Sequence, residues 1–149
     1  MPSVPPRLAP TLRRAWYHLN QAFRRRIAAS GLTPDQFTAL RWLDEHPDGL
    51  TQRALADLMA SDPNTIAGLV KRLEIAKLVQ RLPHADARCR RIVAVAQARK
   101  LRSRLQPVAS ELQEAVIAAV PAAERDRFLR HLAAVAEACA AANQAEARG

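Results

Sequence analysis

Apolar residues recur at Leu8, Leu12, Trp16, Leu19, Phe23 and Ile27. Steps of three and four place them on one face of a long helix, and Gly31 ends it. Thr33-Pro34-Asp35-Gln36 is a helix start: Thr33 caps, Pro34 fits the first helical position and Gln36 completes a capping box. Phe37, Leu40 and Leu43 follow at helical spacing, and His46-Pro47-Asp48-Gly49 forms a turn. Thr51 then caps a short helix holding Ala54, Leu55, Leu58 and Met59. Asp62-Pro63 opens another at once, with an apolar stripe of Ile66, Leu69, Val70 and Leu73. The period then changes. Residues 78–82 and 88–95 read as strands around a turn at 83–87, which makes a hairpin with a basic tip. Helical spacing returns at Leu101, Leu105, Val108, Leu112 and Val116, with Pro107 expected to kink or break the run. Pro121 opens a last helix carrying Phe128, Leu132, Val135 and Cys139, the cysteine read as a small core residue.

Two short helices joined by a tight turn and followed by a basic hairpin predict a mainly α winged helix-turn-helix. A leader is expected over 1–7, disordered by its proline content. One helix spans 8–30, the winged core spans 31–96, and further helices span 97–149. The helix from Asp62 to about Ala76 fits the major groove of B-DNA. Its apolar stripe turns inward, so Asn64, Thr65, Gly68, Lys71 and Arg72 face out, and Gly68 lets the backbone approach a duplex closely. Thr51, Gln52 and Arg53 open the preceding helix and Asp62 caps this one; helix starts with free amides suit phosphate. The hairpin carries Arg81, His84, Arg88, Arg90 and Arg91. Its tip is expected beside the neighbouring minor groove, where arginine suits the negative potential. An amphipathic helix at each end of such a core needs a partner surface, so a homodimer is expected.

Composition and charge agree. Alanine fills 31 of 149 positions and glycine only 4, which favours helix and leaves an all-β sandwich without support. The net charge of +9 is concentrated in the middle: residues 51–100 hold 10 basic and 4 acidic side chains, whereas 101–149 hold 6 of each. A localised basic excess points to a polyanion, of which nucleic acid is the usual one. No stretch has the length and apolarity of a membrane span, and Met1–Pro6 lacks the apolar run of a signal peptide. Two cysteines make no disulfide framework, and a cytoplasmic setting is expected.

The residues also resemble a known family. Leu32-Thr33-Pro34-Asp35-Gln36-Phe37-Thr38-Ala39-Leu40 is similar to the opening of the first core helix in the MarR family of transcriptional regulators. Thr51-Gln52-Arg53-Ala54-Leu55-Ala56 resembles its next helix. Thr65, Val70-Lys71-Arg72-Leu73-Glu74 and Leu78-Val79-Gln80-Arg81 resemble its recognition helix and first wing strand, and Asp86-Ala87-Arg88 its wing signature. Lys77 stands where the family usually has Gly, and Val95 or Ala96 where it usually has Thr. The resemblance implies a homodimer on a pseudo-palindromic operator, usually a repressor released by a small phenolic or lipophilic anion. The ligand cleft would lie between the dimer helices and the core, with Trp16, Leu19, Phe23, Phe37, Arg41, Trp42 and Met59 in position to line it. Arg41 is the expected charge partner of the anion, with Trp16 and Trp42 as walls. At the wing, Arg88 either enters the minor groove or is held by Asp86.

Other chemistries have less to stand on. Cys89, between Arg88 and Arg90, is the one candidate thiol sensor. His18, His46, His84 and His131 are scattered without metal-site spacing, so no metal and no cofactor are expected. No phosphate loop, nucleophile elbow or catalytic carboxylate pair occurs, so the chain does not read as an enzyme. The competing reading is a winged-helix protein-interaction module that dimerises without reading DNA. It would need large apolar residues on the outward face, where Asn, Thr, Lys and Arg stand. RNA binding lacks an aromatic stacking platform.

Overall fold

Helix begins where the proline-rich start of the chain ends. In the computed structural model, which describes residues 4–149, residues 4–7 carry no regular structure and α1 runs Leu8–Ile27. Residues 1–3 of the expected leader lie outside the described residues. A short 3-10 turn over Ala28–Ser30 closes α1, and Gly31 follows at φ +79°. The Ser30 hydroxyl donates to the Ile27 carbonyl (2.6 Å) and accepts from the Leu32 amide (3.1 Å), satisfying groups the helix end leaves free.

α2 (Pro34–Glu45) starts on the expected capping box. Thr33 Oγ1 accepts the Gln36 amide at 3.2 Å, and Gln36 Oε1 accepts the Thr33 amide at 2.9 Å. α3 (Gln52–Leu58) and α4 (Pro63–Ile75) follow. The wing is an antiparallel pair, β1 (Val79–Pro83) and β2 (Arg90–Ala94), in the register Val79 opposite Ala94 and Pro83 opposite Arg90. Leu50 adds a bridge to Ile92 at the root of the pair. β2 starts two residues later than the sequence pattern suggests, because Arg88 is drawn into a turn by Asp86. α5 (Ala96–Ile117) passes Pro107 without a break in the helix. Its first bond runs from the Arg99 amide to the Val95 carbonyl, 3.1 Å.

The chain forms two compact units, the first ending at Ala109 and the second covering Ser110–Gly149. In the first, one core joins Ile27, Phe37, Leu40, Leu43, Leu55, Ile66, Leu69, Val70, Leu73, Val79 and Ile92, with Leu101 and Leu105 of α5 packed against it. Asp44 of α2 binds α5 twice: Arg102 Nε donates to its carboxylate, and Arg99 Nε lies 3.7 Å away. In the second unit a 3-10 turn over Ala122–Glu124 leads into α6 (Arg125–Ala147), which therefore starts four residues after Pro121. No residue of α6 is buried, and Phe128, Leu129 and Leu132 are exposed. Cys139 is exposed as well, against the expectation of a core position, because within its own unit no described residue covers that stripe. α1 behaves similarly: of its apolar stripe only Ile27 is buried, while Leu8, Trp16, Tyr17 and Leu19 are exposed.

Candidate nucleic-acid interface

The geometry of α3 and α4 is fixed at all four of their ends. Thr51 Oγ1 accepts the Ala54 amide at 3.1 Å. Asp62 accepts the Thr65 amide at 2.9 Å and the Thr65 hydroxyl at 2.5 Å. These bonds favour the ionised form, so the Asp62 carboxyl is held below its ordinary pKa, the Thr65 hydroxyl contributing most. Each C-terminus closes in a Schellman motif. After α3, Ser61 N–H reaches the Ala56 carbonyl (3.0 Å) and Ala60 N–H the Asp57 carbonyl (3.2 Å). After α4, Leu78 N–H reaches Leu73 (2.9 Å) and Lys77 N–H reaches Glu74 (2.9 Å). The motif requires a left-handed residue, and here it is Ala60 at φ +50° and Lys77 at φ +59° rather than glycine.

With Ile66, Leu69, Val70 and Leu73 buried, α4 presents Asn64, Thr65, Lys71 and Arg72 to the outside. Ile75, in its last turn, is the one large apolar side chain of α4 that is exposed. Gly68 is half-buried, and a Cβ there would meet nothing nearer than the tip of Arg72 at 3.5 Å. Nothing in the chain's own packing therefore demands glycine at the middle of this helix. On α3, Arg53 is exposed and Gln52 half-buried.

The wing's cations fall into two groups. Arg81 Nε donates to Glu74 at 2.5 Å, tying β1 to the end of α4. Arg88 Nε and Nη2 donate to the two oxygens of Asp86, both at 3.2 Å, and the Arg88 amide donates to the same carboxylate at 3.0 Å. That holds Asp86 below its ordinary pKa, the Arg88 side chain being the main cause. His84 Nδ1 accepts the Asp86 amide at 3.0 Å, which shapes the same turn. Arg91 is bonded to main-chain carbonyls. Among the described residues, Arg53, Lys71, Arg72 and Arg90 have no side-chain hydrogen bond or ion pair. Cys89 is half-buried at the tip, and no group of three metal-ligating side chains occurs among the described residues.

A cleft of about 370 Å³ lies beside α4. Trp16 and Arg24 of α1, Asp35 of α2, Met59, and Ile66, Leu69 and Arg72 of α4 are among the residues that line it. Of the seven residues expected around a ligand, Trp16 and Met59 line this cleft. Phe37 is buried in the core, its ring edge-on to Phe23 with centroids 5.0 Å apart. Trp42 packs against the core beside His46. Leu19 is exposed, and Arg41 is exposed and paired with Glu45 at 3.5 Å. The cations of the cleft are Arg24 and Arg72. Arg24 stands eight residues after Trp16, a spacing that shares one broad helix face and was available as a signal.

Comparison with known proteins adds an independent line. The sequence profile of the MarR family matches residues 30–88. No curated protein sequence gives a significant match. Among solved structures, the chain is similar to the transcriptional regulator MosR of M. tuberculosis in complex with DNA, at 31% identity over 89% of this chain and 98% of that one, TM-score 0.72. It is also similar to CouR of Rhodococcus jostii bound to p-coumaroyl-CoA, at 25% identity over 85% and 88%, TM-score 0.75. BpsR of Bordetella bronchiseptica, whose DNA binding is regulated by 6-hydroxynicotinic acid, shares the fold at 24% identity over 91% and 98%, TM-score 0.81.

Proposed function

Since this chain belongs to the MarR family of transcriptional regulators, we propose that it binds a pseudo-palindromic operator as a homodimer and acts as a ligand-released repressor. The observation that carries the DNA reading is the outer face of α4. Its apolar side is buried in the core, while Asn64, Thr65, Lys71 and Arg72 stand exposed and neither cation has an internal partner. A helix so presented can enter the major groove and bond base edges, with Arg90 and the tip of the wing at the flanking backbone. The complex of MosR with DNA supports the same use of the fold. A protein-docking face would instead show a contiguous apolar patch, and α4 offers only Ile75.

Exposed Trp16, Tyr17 and Leu19 on α1, and Phe128, Leu129 and Leu132 on α6, support a second copy of the chain as the surface that covers them. For the ligand, the cleft beside α4 suits a small aromatic carboxylate. Trp16 and Met59 supply apolar surface above the buried Ile66 and Leu69, and Arg24 and Arg72 supply two positive charges against the one carboxylate of Asp35. This assigns the anion to those two rather than to Arg41, which already faces Glu45. The ligands of CouR and BpsR, an aromatic acyl thioester and an aromatic acid, support that class.

The test is recovery of fragments from sheared genomic DNA on the purified protein at moderate salt, followed by sequencing. The expected product is a set of fragments sharing one inverted repeat with half-sites about one helical turn apart. Fragments with no common sequence would overturn the operator reading. For the ligand, salicylate should quench tryptophan fluorescence and weaken DNA binding, and Arg24→Ala should reduce both effects. Quenching with unchanged DNA affinity would remove the regulatory role from the cleft.

A further inference from the structure

Arg91 is placed like the other wing cations in sequence but is held differently. Its Nε donates to the carbonyl of Pro83 at 2.8 Å, and its Nη1 donates to the carbonyl of Asp48 at 2.6 Å. Arg91 itself belongs to β2, Pro83 to β1, and Asp48 to the turn between α2 and α3. One guanidinium thus joins both strands of the wing to the helical core. Its planar, fixed array of donors suits two carbonyls in different segments, which a single flexible ammonium matches poorly.

A second observation puts the same joint under close constraint. Leu50 and Ile92 exchange main-chain bonds of 3.0 and 2.7 Å. Gly49 stands at φ +95°, and a Cβ there would lie 2.9 Å from Val93 Cγ1 and 3.0 Å from both Arg91 Cβ and the Ile92 carbonyl. The turn can approach β2 this closely only because residue 49 has no side chain and tolerates that backbone. Close approach, the paired main-chain bonds and the Arg91–Asp48 bond all act between the turn and β2, and the Arg91–Pro83 bond adds β1 to the same joint.

We propose that Arg91 is a positioning residue of the wing, fixing the angle at which the hairpin leaves the core, and does not itself bind a phosphate. Through that angle it sets where Arg88 and Arg90 meet the duplex. This rests on the DNA-binding reading above, but the joint can be tested without DNA. A phosphate contact tolerates lysine, because the charge is kept, and its loss to alanine reduces the salt slope of binding by about 1 per site. A two-carbonyl lock does not tolerate lysine.

The experiment compares Arg91→Lys, Arg91→Ala, Arg90→Lys and Arg90→Ala in the full chain. In free protein, amide exchange at Leu50 and Ile92 should quicken by about tenfold or more in both Arg91 variants, with Leu43 and Val70 in the core unchanged, as local opening requires. Arg90 variants should exchange like the parent. On operator DNA, hydroxyl-radical protection of the flanking minor groove should be lost in both Arg91 variants while the central protection under α4 stays. Arg90→Ala should weaken the flanking protection without quickening exchange at Leu50 or Ile92, as loss of a direct backbone contact does. Parent-like exchange at Leu50 and Ile92 in Arg91→Ala, or an intact flanking footprint in Arg91→Lys, overturns the proposal. If the parent protein itself protects no DNA, the DNA-binding reading fails while the exchange result still decides the joint.

Discussion

Both α3 and α4, the helices proposed to read DNA, end on a left-handed residue that is not glycine, so glycine at these positions should change stability. Ala60 at φ +50° carries a Cβ against the following carbonyl, a cost of roughly 1–2 kcal/mol that glycine would not incur. Glycine also loosens the unfolded chain, which takes back about 0.4–1 kcal/mol. Ala60→Gly should therefore stabilise the protein by about 0.5–1 kcal/mol, a rise of about 1–4 °C in Tm for a chain of this size. Lys77→Gly at φ +59° relieves the same crowding but removes a cation beyond the C-terminus of α4, worth about 0.3 kcal/mol or more, so its gain is smaller. The control is Ala67→Gly inside α4, where glycine costs about 1 kcal/mol. Urea unfolding followed by circular dichroism at one fixed protein concentration compares the three, since stability of a dimer depends on concentration. If Ala60→Gly lowers the midpoint as Ala67→Gly does, at unchanged slope, the αL closure of α3 is wrong.

Three further outcomes follow from the same geometry. Asn64→Ala or Arg72→Ala should weaken operator binding more than random-duplex binding, by about 1–3 kcal/mol where a bidentate base contact is lost; equal loss on both, by fluorescence anisotropy, would make them backbone contacts. Gly68→Ala should raise stability by up to about 1 kcal/mol, because the added Cβ meets only the Arg72 tip and alanine favours helix, yet weaken DNA binding; unchanged Kd would show that no duplex approaches there. Asp62 and Asp86 have folded-state pKa values below their unfolded ones, so their contribution is complete above the ordinary value of 3.8 and is lost as pH falls through the depressed folded values. The Thr65 amide resonance should accordingly hold steady from pH 8 to 5 and move only below 3.8, and a midpoint above 4 would contradict the Asp62 cap.

Local signals carried far in this chain. The caps at Thr33, Thr51 and Asp62 each appear as expected, because a capping residue and a following proline or apolar run act within one helical turn. The φ of +59° at residue 77 explains the glycine the family usually has there; the lysine that stands in this chain has no structural explanation. The partners of the wing arginines were less legible. Arg81, Arg88 and Arg91 look alike in the sequence, but Glu74, Asp86 and two main-chain carbonyls hold them, and the Arg91–Asp48 bond spans 43 positions. Only Arg90 stays without an internal partner among them. The ligand residues separated for a similar reason: helical periodicity puts Phe37 and Trp16 on inward faces alike, and only packing decides that one enters the core while the other lines a cleft.

Cations that the fold leaves unpaired are proposed to bind duplex DNA sequence-specifically. Of the unpaired cations on the proposed DNA face, Arg53, Lys71 and Arg90 are placed for the backbone while Arg72 is placed for a base, so a dimer would bring about six to the phosphates. The measurement is Kd for the recovered operator and for a scrambled duplex of equal length between 50 and 200 mM salt. The expected log–log slope on the operator is about −5, a loss of about 10³ in affinity across that range, with a specificity ratio of about 10³ or more over the scrambled duplex. A flat salt response, or equal affinity for the two duplexes, would contradict it.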